Sequence, residues 1–156
     1  MRRYNPANKG FTLVEIMIVV AIIALLAAIA IPYLLRARLN ANETAAIGAQ
    51  RTESTAEETY RAAQTPPSYG TFAQLISATP PYLNMVETPT GTISRQGYDH
   101  AMTGTVNANQ FCIQATPQVV NQTGSRSFCV DNSGVVRSYG AGQGCASLVC
   151  SGAALE

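Results

Sequence analysis

Residues 10–32 read GFTLVEIMIVVAIIALLAAIAIP, and everything else about the chain is organised around them. All sixteen residues from 16 to 31 are apolar, and Glu15 is the only charge between Gly10 and Arg36. About twenty residues at roughly 1.5 Å rise cross a bilayer's hydrocarbon core, so the run is long enough to span one. Upstream lies MRRYNPANKG, a short leader with three basic residues and no acidic one. Downstream the composition turns ordinary, rich in Ala, Thr, Asn, Gln and Gly. The pattern is an apolar anchor joined to one modest polar domain, within a chain of 156 residues.

Three readings compete for this segment. A basic leader, an apolar run and Ala28-Ile29-Ala30 match a secretory signal peptide that would release a soluble protein beginning at Ile31. A plain single-span anchor fits the length equally well. Glu15 counts against both, because a carboxylate at the centre of a bilayer costs about 2.5–3.5 kcal/mol, and less towards its edge. A cationic partner would give it a use. Cutting the chain after Gly10 supplies one, the new α-amino group of Phe11, on the same or a neighbouring subunit.

Gly10-Phe11-Thr12-Leu13-Val14-Glu15 followed by the unbroken apolar run and Pro32 resembles the prepilin signature of type IV pilins and of the related pseudopilins of type II secretion. The resemblance is strong over residues 1–64 and looser beyond. It implies that a membrane prepilin peptidase cuts the Gly10–Phe11 bond and N-methylates Phe11. It further implies that Glu15 pairs with the Phe11 amine of an adjacent subunit and sets the axial register of a helical homopolymer. The implied partners are an inner-membrane platform protein and an assembly ATPase. The subunit would wait in the inner membrane and then enter an extracellular pilus, with adhesion, twitching motility or DNA uptake as downstream roles. The family often carries Gly where this chain has Ala24, so any hinge would rest on Pro32. A type II secretion pseudopilin and a secreted disulfide-stabilised binding domain are the alternatives.

Four parts follow: a leader (1–10), a membrane or filament-core helix (11–35), an amphipathic helix half (36–64), and a connecting loop with a β-sheet head (65–156). Pro32 cannot donate to the carbonyl of Ala28, which predicts a kink or local break. Beyond it, Leu39, Ala46, Ala49, Ala56, Tyr60 and Ala63 form a weakly apolar face, interrupted by Asn42 and Glu53. Glu57 and Arg61 are spaced as an exposed i, i+4 pair. The helix should stop near Gln64, before Pro66-Pro67, after about fifty residues or roughly 75 Å. Half of that length would project beyond any core this chain can build. Thr71-Phe72-Ala73-Gln74 reads as a capping box opening a short helix over 71–78. Strands are expected at 98–103, 110–116, 126–131 and 134–139, with a hairpin turn at Asp131-Asn132-Ser133-Gly134. Antiparallel strands packed on the second helix half make the fold class α+β.

Cys112, Cys129, Cys145 and Cys150 all lie in the C-terminal third, and an even count behind an export segment points to disulfides. Alternation puts Cys112 and Cys129 opposite the apolar faces of adjacent strands. A Cys112–Cys129 bridge with a small Cys145–Cys150 loop suits that placement, and strand cysteines clasping the Gly-rich tail (140–152) compete with it. The wide spacing lacks the CxxC knuckle of a zinc site. No catalytic constellation, phosphate loop, cofactor motif or nucleic-acid patch is evident, and acidic residues after Glu87 are too sparse for a calcium loop. His100, the single histidine, reads as a surface or structural residue. Asn42-Glu43-Thr44 and Asn121-Gln122-Thr123 match the N-glycosylation triplet, a pattern short enough to arise by chance. Net charge is +1, and loss of residues 1–10 leaves seven basic against nine acidic residues. Neither value argues for an anionic partner.

Overall fold

The computed structural model describes residues 10–104, 106–141, 150 and 152–155. The chain divides into two units, Met1–Arg36 and Ala37–Glu156. One helix, α1 (Leu13–Ala63, 51 residues), contributes to both. In the first unit nearly every side chain of α1 is exposed, and the segment is long and apolar enough to cross a membrane. The local break expected at Pro32 is absent, since the helix runs unbroken through it. One missing donor and a ring clash cost about 3 kcal/mol, and the flanking Ala-, Leu- and Ile-rich turns keep their own bonds.

In the second unit, α1 lies against a six-stranded antiparallel meander. Its strands are β1 (Thr92–Arg95), β2 (Tyr98–Met102), β3 (Cys112–Pro117), β4 (Arg126–Asp131), β5 (Arg137–Gly140) and β6 (Ala153–Ala154), in that spatial order. The result is the α+β architecture expected, with a long helix followed by an antiparallel sheet. Four of these strands overlap the expected ones. The first and last were missed: β1 lies within a stretch rich in turn signals, and β6 is two alanines whose extended form comes only from pairing with β5. Helix α2 (Phe72–Ser77) opens with the expected capping box, in which Thr71 and Gln74 exchange bonds.

Between α1 and the sheet lies the apolar core, with Phe72, Leu75, Tyr98, Phe111, Ile113 and Phe128 essentially inaccessible. Alanines 46, 49 and 56 are buried as expected, and the short side chains bring the helix close to the strands. The polar residues on this face turn out to be its anchors. Asn42 Nδ2 donates to the Thr123 carbonyl at 2.9 Å. The Gln50 amide donates to the carbonyls of Ile113 and Phe128, both at 3.1 Å. Glu43 accepts two bonds from Arg126, at 2.7 and 3.0 Å, and two from Ser125. Burial raises the Glu43 pKa, but the Ser125 and Arg126 donors outweigh it and hold the carboxyl below its ordinary range. His100 is structural: fully buried in β2, its Nδ1 lies 3.0 and 3.1 Å from the two Glu53 oxygens.

The Glu57–Arg61 pair does not form. Glu57 is buried and its Oε2 accepts the Gly70 N–H at 3.1 Å. Arg61 instead stacks over the Tyr69 ring and donates to the Ala108 carbonyl. The chain folds back over the helix end after Gln64, so residues 69–70 cover a face that helical spacing alone leaves in solvent.

Candidate functional site

Two places carry the chemistry singled out in the sequence: the start of α1 and the cysteine cluster. At the start of α1, Thr12 is the residue before the first helical turn. Its backbone N–H and its hydroxyl both donate to Glu15 Oε2, each at 2.8 Å, and the Glu15 N–H donates back to the Thr12 hydroxyl at 3.2 Å. This is a reciprocal capping box, made by the sequence T-L-V-E. The T-x-x-E spacing of residues 12–15 is the sequence signal for this box.

The box corrects part of the argument for a cationic partner: Glu15 has a use within its own chain. A cap contributes about 1 kcal/mol, well short of the roughly 2.5–3.5 kcal/mol that a carboxylate costs at mid-bilayer. Only Oε2 is occupied, and Oε1 makes no hydrogen bond among the described residues. Phe11 is exposed beside it, and an open notch of about 350 Å³ is lined by Phe11, Glu15, Ile16, Ile18 and Val19. A Cβ added at Gly10 would meet nothing within 4 Å. Among the described residues, no contact asks for glycine there.

A family described as "Prokaryotic N-terminal methylation motif" matches residues 5–31. The same end of the chain is similar to the type IV major pilin protein PilA of Myxococcus xanthus, 54% identical over 44 residues. It is also similar to the type IV wide pilus major component PilA4 of Thermus thermophilus, 67% identical over 36 residues. The likeness to type IV pilins is carried by the N-terminal segment. A fimbrial protein of Moraxella nonliquefaciens is 51% identical over 53 residues. These matches cover 28%, 23% and 31% of this chain and 20%, 28% and 34% of the three relatives, so the chain spans only about a fifth to a third of the relatives it matches. No solved structure matches the chain. Pro32 lies inside the helix of this pilin-type segment, beside a shallow groove of about 250 Å³ formed with Ala28, Ile29, Tyr33 and Arg36.

The cysteines depart from the favoured pairing. Cys129 is bonded to Cys150, not to Cys112. In the β3–β4 register Cys112 faces Asp131 and Cys129 faces Gln114, so the two strand cysteines are diagonal rather than opposite. The returning tail brings Cys150 to Cys129 and places its sulfur 3.6 Å from that of Cys112. This is the tail-clasping arrangement, and its clasp is reinforced: Asp131 Oδ2 accepts the Cys150 N–H, and the Tyr139 hydroxyl accepts the Gly152 N–H. Both strand cysteines do sit opposite the core, but Cys150 and Tyr139 cover them and both are buried. Cys145 lies outside the described residues. The sulfurs of Cys112, Cys129 and Cys150 lie within 4.8 Å of one another, yet the Cys129–Cys150 bond uses two of them as disulfide rather than as thiolate ligands. Of the two glycosylation triplets, Asn42 is held in its bond to Thr123, while Asn121 is exposed.

Proposed function

We propose that the chain is a structural subunit of a type IV pilus, cut between Gly10 and Phe11 and polymerised through α1. The observation that carries this reading is the pairing of an exposed, wholly apolar half-helix with a carboxylate at its first turn that keeps one oxygen uncommitted. After cleavage the Phe11 amine is a cation of matching reach, and the Glu15 Oε1 of a neighbouring subunit accepts it. Moving from lipid to a bundle of like helices exchanges one apolar setting for another, so hydrophobic gain is small and packing with this ion pair sets the geometry. Pro32 serves as the hinge where the helix opens during assembly. Prepilin peptidase, a platform protein and an assembly ATPase are the partners, the inner membrane holds the subunit pool, and the extracellular pilus is its destination. Adhesion, motility or DNA uptake follow from the filament.

Intact mass of the mature chain tests this. A start at Phe11 carrying one added methyl group is expected. A start at Ile31 would end the filament reading in favour of a secreted domain.

A further inference from the structure

Five residues of α1, Ala28, Ile29, Pro32, Tyr33 and Arg36, line the groove of about 250 Å³ beside Pro32. Counted from Ala28, their spacings of one, four, five and eight make a single stripe about 12 Å long. Polarity changes in order along it: hydrocarbon at Ala28, Ile29 and Pro32, then a phenol hydroxyl, then a guanidinium. Neither polar group is used inside the chain. Among the described residues the Tyr33 hydroxyl makes no hydrogen bond and Arg36 makes no ion pair. Glu15 lies twenty-one residues away, about 30 Å along the helix. Glu43 is already bonded to Ser125 and Arg126.

Arg36 thus places a positive charge at one end of an apolar groove, with no anion of its own. Water would solvate the guanidinium but leave the hydrocarbon stripe wet. A glycerophospholipid offers the matching order of phosphate, ester carbonyl and acyl chain. Charge complementarity at the Arg36 end also fixes its direction, with the chain running towards Ala28. A lipid beside a membrane-crossing helix has that direction, because basic and aromatic residues at the end of a span meet the headgroups. We infer that the groove seats one anionic glycerophospholipid, with its phosphate on Arg36, an ester carbonyl on the Tyr33 hydroxyl and an acyl chain along Pro32, Ile29 and Ala28. This rests on the reading that residues 11–35 span a membrane.

The test is native mass spectrometry of the full chain in nonionic detergent, titrated with phosphatidylglycerol in about 0.15 M ammonium acetate. Wild type should retain one phosphatidylglycerol. Arg36→Gln should weaken that binding about fivefold, the worth of one basic residue at a headgroup. Arg36→Lys should keep most of it. Arg51→Gln removes the same charge from an exposed residue outside the groove, and should stay within about twofold of wild type. A diazirine on the acyl chain should crosslink within residues 28–33. Equal losses from Arg36→Gln and Arg51→Gln, or no retained lipid, overturn the inference. Dimers that disappear in Arg36→Gln, with no lipid adduct, also overturn it, because the occupant is then a second copy. The chain contains no tryptophan, so Ile23→Trp in vesicles with deep-brominated lipids reports the span by itself. Its quenching beside a failed titration sinks this inference alone. An unquenched Ile23→Trp removes the membrane reading and this inference together.

Discussion

Replacing Glu57 by glutamine should change how the stability of the head depends on pH. Glu57 is completely buried, its Oε2 takes a single backbone N–H, and its Oε1 has no hydrogen-bond partner among the described residues. Burial pushes its pKa from 4.5 up to about 7, opposed by the Gly70 N–H and assisted by the charge of Glu58. The folded state therefore holds a proton that the unfolded chain has already released across this interval. Stability from Glu57 is present below the unfolded value and is lost as pH rises towards the folded one. At about 1.4 kcal/mol per unit, the loss amounts to about 3 kcal/mol, or roughly 10 °C in Tm for a domain of this size. The assay is denaturation of the full chain in detergent, followed by tyrosine signals in the near ultraviolet, between about pH 5 and pH 8. Groups common to both proteins, the His100–Glu53 pair included, cancel in the difference between wild type and Glu57→Gln. That difference should shift in favour of the variant by about 3 kcal/mol as pH rises. Parallel curves would refute the reasoning and show that Glu57 stays ionised in the folded head.

Three further outcomes follow from the geometry. Glu15→Ala should leave cleavage intact and abolish filament assembly, whereas Thr12→Val, which removes only the cap at a cost of about 1 kcal/mol, should mainly speed amide exchange at Glu15; normal piliation in Glu15→Ala would refute the pairing role. Peptide mapping without reductant should recover Cys129 linked to Cys150, and Cys129→Ser should lower stability by about 3 kcal/mol for a loop of this length; a Cys112–Cys129 peptide would contradict the observed pairing. Gly124→Ala forces a Cβ into the Tyr98 hydroxyl, which donates to the Arg126 carbonyl at 2.8 Å; a loss of about 1–3 kcal/mol in thermal unfolding is expected, and no loss would mean the loop yields.

Much of the candidate site was readable beforehand because it is local. Thr12 and Glu15 are three residues apart, so their bonds follow from helical geometry. The cysteine pairing was different in kind. Alternation correctly set Cys112 and Cys129 opposite the apolar core, but which sulfur meets which depends on strand register and on the path of the tail, neither of which has a local signature. The same holds for Glu57, whose helical spacing favours Arg61 and whose actual partner is thirteen residues away.

By itself the sequence determined the apolar half-helix, the charge placed at its first turn, the short basic leader, and the α+β class of the head. Each depends on periodicity or spacing within a few turns, where side chains one turn apart must be neighbours. Tertiary structure alone decided that the polar residues of α1's second half would be buried anchors, that the tail would supply the partner of Cys129, and that Glu57 would lose its solvent. Those outcomes turn on which distant backbone groups come to cover a face, and desolvation acts only once that cover is in place.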